Sequence, residues 1–452
     1  MKEYKNKYDK LANAPIKRLI ISLSVPTIIT MLVSAVYNMA DSYFVGKIDT
    51  TSVASIGIVF SVMTLLQAVG FFLGNGSGIL ISTCLGQKEK DKAQIYANTA
   101  FFTALAAGVI LAIIGLLFST PLSYMLGATE TAAASASSYL RIILLGSPFI
   151  LGSFVLNNQL RYQGSALYSM FGILSGSLLN IALDPLFIFK FNMGVSGAAA
   201  ATIISQAIGF IILIFGTTRS ENLRISIKKF KPNFNIYSDI CKNGLPSLAR
   251  QGIQTAANIA LNFAASSFGD AAIAGMSVFN RVMFVGFAVV IGIGQGFQPV
   301  CSFNDGAKKY DRVYEGYKFI CIATTVFIAV ASLVDFIFAD RLISVFRDDP
   351  EVIEIGSKAL KIQAFALPVV GFCTSSNMLL QSLQISGKAT ILALARQGIF
   401  YLPLILTIPR IFGINGLVSV QAVADILSFI LTVFIVSPTI KSLSKAVKNS
   451  KK

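Results

Sequence analysis

Apolar runs of about 20 residues, separated by short polar stretches, dominate the chain. A bilayer-spanning helix needs about 20 mostly apolar residues. Twelve segments answer that description, the first six beginning near Lys17, Thr51, Ala93, Ala133, Ala166 and Val195. The second six begin near Ser238, Ala271, Tyr314, Val352, Lys388 and Ile414. Barrel strands would be about ten residues long, so runs of this length read as helices. The expected fold is therefore an all-α integral membrane protein with 12 transmembrane helices. The longest polar interruption, roughly Thr217–Tyr237, falls near mid-chain. It predicts an N-terminal lobe over residues 1–218, a cytoplasmic linker over 219–237 and a C-terminal lobe over 238–452 with a short basic tail.

The two halves resemble each other at an offset of 220, where Pro26 meets Pro246, Asn38 meets Asn258, Gly86 meets Gly306 and Pro148 meets Pro368. Near the end the offset slips by one, and Gly194–Gly197 meets Gly413–Gly416. Pro and Gly held in register over such a length indicate a duplication. Six helices per copy is an even number, so both bundles share one orientation, related by a pseudo-twofold axis along the membrane normal. That is a plan of alternating-access transporters, with a substrate cavity between or within the bundles.

Composition narrows the class. Of 452 residues, 54% are hydrophobic and only 13% charged, against about 25% charged in soluble domains. Mean hydropathy is +0.71. There is no His and no Trp, which removes imidazole catalysis and His-metal sites. The five Cys are scattered without CxxC spacing, so neither a metal ribbon nor a disulfide framework is readable. No catalytic constellation is left, and the chain is expected not to be an enzyme. Lys and Arg are about threefold more frequent on the side that receives both termini, which makes both termini cytoplasmic. The net charge of +16 then reads as orientation against anionic lipid, with no nucleic-acid partner required. The polar stretch before the first span is not the pattern of a cleavable signal peptide.

Polar residues inside spans carry the candidate chemistry. In the first span Thr30, Ser34, Asn38 and Asp41 share one helix face, above Pro26, which permits a bend. The seventh span repeats the stripe as Arg250, Gln254 and Asn258 above Pro246, but Leu261 stands where Asp41 would recur. In the fifth span Asn180 and Asp184 lie one turn apart. Thr202 in the sixth and Tyr139 in the fourth reach the same outer layer. Asp41, Tyr139, Asn180, Asp184 and Thr202 are thus expected to cluster in the outer half of the first bundle. Two carboxylates in low dielectric share a proton or bind a cation. Hard oxygen ligands suit Na⁺, so Asp41 and Asp184 are the one candidate Na⁺ position and no other metal is expected. Plainer readings stay open. Asp184, beside Pro185, could end a helix at the interface, and Asp41 could snorkel. Arg250, Arg281, Arg396 and Asp425 could be structural ion pairs or substrate contacts. Gly74, Gly76 and Gly78 read as close helix packing.

Three stretches resemble the multidrug and toxic compound extrusion (MATE) family: SVPTIITMLVSAVYNMADSYFVG with Pro26 and Asp41, SLLNIALDPLFIF with Asn180 and Asp184, and LNNQLRYQG from Leu156 to Gly164. The resemblance covers nearly the whole chain. It implies Na⁺- or H⁺-coupled antiport that exports amphipathic, often cationic drugs across the cytoplasmic membrane of a bacterium, with no cofactor beyond the coupling ion. It implies that Asp41, Asn180, Asp184 and Thr202, with Tyr139 nearby, form the ion site, that Pro26 is a helix hinge, and that Asn157 lines the substrate cavity. Ser34, Asn38, Gln254 and Asn258 are the further cavity candidates. The expected partners are small amphipathic molecules and membrane lipids, and the expected state is a monomer. A flippase for lipid-linked precursors, using the embedded arginines, is the alternative.

Overall fold

The computed structural model describes the backbone of residues 7–45, 50–219 and 221–449, and the side chains of all these except 38, 39, 41–43, 45, 50–56, 58 and 131. Every described element is a helix, a turn or a connecting segment. In chain order the helices are α1 (Lys7–Asn13), α2 (Ile16–Val45), α3 (Thr50–Gly86), α4 (Lys90–Met125), α5 (Glu130–Leu145), α6 (Ser147–Tyr162), α7 (Ala166–Pro185) and α8 (Gly194–Thr217). After the mid-chain segment come α9 (Phe234–Ser266), α10 (Asp270–Gly306), α11 (Tyr310–Ile337), α12 (Ala339–Ser344), α13 (Pro350–Ser382), α14 (Ser386–Leu394) and α15 (Tyr401–Asn449). Wider π-helical turns join α7 to the loop before α8 (Leu186–Lys190) and α14 to α15 (Ala395–Phe400).

Among the described residues, nine helices are long and apolar enough to cross a membrane. The pair α5 and α6, bent by 50° at Gly146, makes a tenth if it is one span. The stretch Ser386–Asn449 holds 64 residues, on the order of 95 Å of helix, and is broken at Gly413, where φ is 59° and ψ −143°.

By packing, the chain forms two compact units. The first gathers the chain up to Ala12 with Ile29–Gly244; the second gathers Asn13–Ile28 with Leu245 onward. The first core is built around Val59, Phe101, Leu140, Leu151, Val155 and Leu213. The second is built around Leu261, Phe279, Ile343, Leu360 and Leu417. Corresponding helices have thus exchanged their first parts: the start of α2 belongs to the second unit and the start of α9 to the first. The handovers fall two residues after Pro26 and two before Pro246. Close approach makes the exchange possible. A Cβ on Gly76 of α3 would lie 2.3 Å from the Ile240 carbonyl oxygen, and one on Gly244 would lie 2.2 Å from that of Phe72. In the second unit, a Cβ on Gly296 of α10 would lie 2.6 Å from Ser24 Cα. Gly76 and Gly296 are partners at the sequence offset of 220.

The repeat is visible in detail. Left-handed turn residues recur as Lys88 (φ 65°) and Lys308 (φ 57°), and as Gly164 (φ 78°) and Gln384 (φ 58°). After the slip in register they recur as Gly194 (φ 53°) and Gly413 (φ 59°). The Asn157 side chain donates to the Ser169 carbonyl at 3.0 Å, and Asn377 donates to that of Ala389 at 2.7 Å.

The mid-chain segment, expected as a linker, packs along the first unit. Leu223 N donates to Gln163 Oε1 and Ser226 N to Asn98 Oδ1, both at 2.7 Å. It also receives α1. Lys7 Nζ donates to Ser165 Oγ at 2.6 Å and to Asn222, and its backbone N–H donates to Glu221 at 3.3 Å. Burial pushes the Lys7 ammonium down to about 7, against the opposing pull of Glu221.

Candidate functional site

Small residues bring α7 and α8 together. A Cβ on Gly209 would lie 2.8 Å from the Gly172 carbonyl oxygen, and one on Gly176 would lie 3.1 Å from that of Ser205. At this separation short polar side chains reach across, as small-residue packing allows in membranes. Asn180 Nδ2 lies 3.3 Å from Asp184 Oδ1 along α7 and 3.3 Å from Thr202 Oγ1 on α8. The Thr202 hydroxyl in turn donates to the Ala198 carbonyl at 3.0 Å. Asp184 is completely buried, and Asn180 and Thr202 nearly so. Asp184 stands one residue before the α-helical end of α7 at Pro185. Pro185 has no N–H to give to the turn behind it, and the helix continues past it as the π-turn Leu186–Lys190. Irregular turns of this kind recur at functional sites.

Asn180 Oδ1 and Ser205 Oγ, both buried, have no hydrogen-bond partner among the described residues. With the Asp184 carboxylate and the Thr202 hydroxyl, Asn180 makes a set of hard oxygens suited to a proton or an alkali cation, while Ser205 lies level with Gly176, about two turns of α7 away from Asp184.

The other expected site residues are placed as follows. Tyr139 is buried on α5, and its neighbour Ser138 pairs with Ser196 of α8 at 3.0 Å. The side chains of Asp41 and Asn38 lie outside the described residues. Ser34 is half-buried on α2. Asn157 is also half-buried, its amide held by Ser169 Oγ at 2.6 Å besides the carbonyl. Gln254 and Asn258 are exposed on α9. Pro26 lies inside α2.

Two further polar centres stand out. Arg161, near the end of α6, is almost fully buried and donates to Asn75 at 3.0 Å. In the second unit, buried Asp425 accepts from Arg396 Nε at 2.6 Å, Gln363 Nε2 at 2.7 Å and Gln421 Nε2 at 2.9 Å. For Arg396 and Asp425, the ion-pair reading is the one the structure bears out. Close packing also holds at the glycines of the third helix: a Cβ on Gly78 would meet the Tyr162 ring at 2.2 Å.

A duplicated bundle of long apolar helices with a buried carboxylate in each copy is the build of a secondary transporter. The MatE family model matches residues 26–186 and again 246–407, the two matches starting 220 residues apart, and the chain belongs to that family of transporters. It is 28% identical over 415 residues to the multidrug export protein MepA of Staphylococcus haemolyticus, with 91% of each chain covered. It is 28% identical over 425 residues to MepA of Staphylococcus aureus, with 94% of each covered. Among solved structures, a MATE transporter in complex with MaL6 superposes with a TM-score of 0.91 at 25% identity, covering 98% of this chain and 100% of that one. An outward-facing multidrug resistance MATE transporter matches with a TM-score of 0.91 at 25% identity, covering 96% and 98%.

Proposed function

We propose that this transporter is an antiporter that exports amphipathic, often cationic drugs across the bacterial cytoplasmic membrane, with Na⁺ or H⁺ moving the opposite way. The observation that carries the reading is the buried set Asn180, Asp184 and Thr202. A charge inside a span is costly and is retained where it has work to do. Kinship with the MepA exporters supports the substrate class. Asp41, with Tyr139 nearby, completes the ion site. Pro26 serves as the hinge of α2, and Ser34, Asn38, Asn157, Gln254 and Asn258 contribute to the substrate path.

Twelve spans follow if α9 is one and the stretch 386–449 is two, in lobes that divide near mid-chain as expected from sequence apart from the exchanged starts of α2 and α9. The excess of Lys and Arg supports cytoplasmic termini, and the transporter works as a monomer among lipids. A flippase would need a cationic cavity, and Arg396 has its charge met by Asp425.

Coupling requires that ion and drug stabilise different states of the transporter. The ion at Asp184 favours drug release to the outside; drug binding from the cytoplasm favours ion release. The test is ethidium efflux from proteoliposomes with Na⁺ and pH gradients imposed separately. Asp184→Asn keeps an oxygen for Asn180 to meet but removes the charge. It should lose gradient-driven efflux while melting as the native protein does. Efflux equal to wild type under both gradients would remove Asp184 from the mechanism.

A further inference from the structure

The second unit carries its own buried carboxylate on the helices that correspond to the site of the first. At the offset of 219 set by Gly194 and Gly413, Thr202 corresponds to Gln421 and Gln206 to Asp425. At 220, Gly176 of α7 corresponds to Arg396. The buried carboxylate of the second copy stands on α15, at the position of Gln206, and not on the helix matching α7. Where α7 has a glycine packed against α8, the second copy has a guanidinium.

Among the described residues, the donors that meet the two carboxylates include one difference. Asp184 meets an amide, and Asn180 and Thr202 bring no charge. Asp425 has both oxygens engaged by donors: Oδ1 by Arg396 Nε and Gln421 Nε2, Oδ2 by Gln363 Nε2 and, at 3.3 Å, Arg396 Nη2. Gln421 is itself met by Gln397 at 3.3 Å. The guanidinium lies over the Phe287 ring at 4.1 Å, a position that favours a cation. Beside this pair, Gln363 Oε1 and Ser428 Oγ are buried oxygens with no hydrogen-bond partner among the described residues. The oxygen-rich surroundings of a small cation are therefore present in the second unit as well, with a side-chain cation already in place.

We propose that Arg396 is a built-in counter-cation: it does for Asp425 permanently what the coupling ion does for Asp184 transiently, and so keeps the second unit independent of the ion gradient. Arg396 is a positioning residue in this account, and its removal opens a cation site formed by Asp425, Gln363 and Ser428. A guanidinium cannot lose its proton in a protein, so the pair stays neutral through the cycle. Taking away one member of a buried pair leaves a charge that must find another partner. The other titratable groups facing the pair are Cys373 of α13 and Tyr401 of α15. The comparison with Asp184 rests on the function proposed above, whereas the pairing of Arg396 with Asp425 does not.

The test uses purified full-length protein in an Asp184→Asn background, which silences the first site. Melting temperature is read against Na⁺, K⁺ and pH. The background alone should show a flat response. Adding Arg396→Gln should bring a saturable rise with Na⁺ or with acid, and adding Asp425→Asn to that should remove it. An unchanged response on adding Arg396→Gln, or one that survives Asp425→Asn, overturns the proposal. If the Arg396→Gln protein is recovered only when Na⁺ or acid is present during purification, that is the same positive result; recovery under neither condition overturns it. If Asp184→Asn alone keeps the wild-type cation response, the function reading fails and the Arg396 comparison is still read from the difference. A merely structural pair would leave transport coupling alone. With Asp184 intact, Arg396→Gln should steepen the dependence of efflux on the coupling ion, and Arg396→Gln with Asp425→Asn should restore the wild-type slope.

Discussion

Gly76→Ala tests the placement of the first part of α9 against α3. The added Cβ would sit 2.3 Å from the Ile240 carbonyl oxygen, 3.0 Å from Gly244 N and 3.1 Å from Gly244 Cα. All three atoms are backbone, so no rotamer change relieves the clash. An ordinary carbon–oxygen contact is about 3.4 Å, and the two helices would have to part by about 1 Å. Overpacking of this kind costs about 1–3 kcal/mol. Alanine also gains up to about 1 kcal/mol over glycine in a helix, which has to be separated out. Gly252→Ala does so, because on the same α9 its Cβ would meet nothing within 4 Å. The expected result is that Gly76→Ala lies about 1–3 kcal/mol below Gly252→Ala.

Gly244→Ala should cost as much, its Cβ falling 2.2 Å from the Phe72 oxygen. The double variant should cost clearly less than the sum, since one separation of the helices relieves both contacts, and non-additivity of neighbours is commonly about 0.5–3 kcal/mol. The assay is unfolding in mixed micelles followed by far-UV circular dichroism, a probe that suits a chain without Trp. Gly76→Ala and Gly252→Ala of equal stability, or strictly additive Gly76 and Gly244 variants, would refute the packing of residues 234–244 in the first unit.

Docking of α1 should depend on pH through Lys7. Its pKa falls from 10.5 to about 7 on docking, so the undocked state binds more protons between these values, and docking strengthens as pH rises through that window. Hydrogen exchange of residues 7–13 should therefore be slower at pH 9 than at pH 7 after correction for intrinsic rate, and Lys7→Met should flatten the dependence; an unchanged slope in the variant would refute it. Asn157→Ala and Asn377→Ala each remove the same side chain-to-carbonyl bond from a different copy of the repeat. Each should lose about 0.5–1.5 kcal/mol in the unfolding assay, and a loss confined to one copy would show that the repeat is not mechanically equivalent there.

Features that repeat along the chain were legible in the sequence. Apolar runs of span length gave most of the helices, and Pro and Gly at a constant offset gave the duplication, which the structure repeats in the left-handed turns at Lys88 and Lys308. The one-turn spacing of Asn180 and Asp184 gave their common face, and counting inward from the loop gave Thr202 its level. What periodicity cannot carry is the choice of neighbour. The exchanged starts of α2 and α9 depend on which helix a glycine face meets, and Gly76 and Gly244 are 168 residues apart. Arg161 reads as a loop cation because it ends an apolar run. Only the fold shows that α6 turns its last residues inward, where Asn75 is waiting.

Asp425 shows why a position-by-position comparison of the copies falls short. The residues matching Asn180 and Asp184 in the second half, with the offset drifting to about 223, are Pro403 and Thr407, so the acid looks deleted. In the structure a carboxylate is present on the corresponding group of helices, carried by α15 and met by Arg396 in the preceding π-turn. A buried charge is constrained by the volume it occupies and by the partners that reach it, and not by which helix supplies the backbone. After duplication, one copy can therefore carry its carboxylate on a different helix, provided a counter-charge reaches it. At the position of Arg396 the first unit has Gly176, whose Cβ would lie 3.1 Å from the Ser205 carbonyl oxygen. The two units have diverged in chemistry more than in packing, and the divergence lies in a pair of residues whose relation becomes visible only across helices.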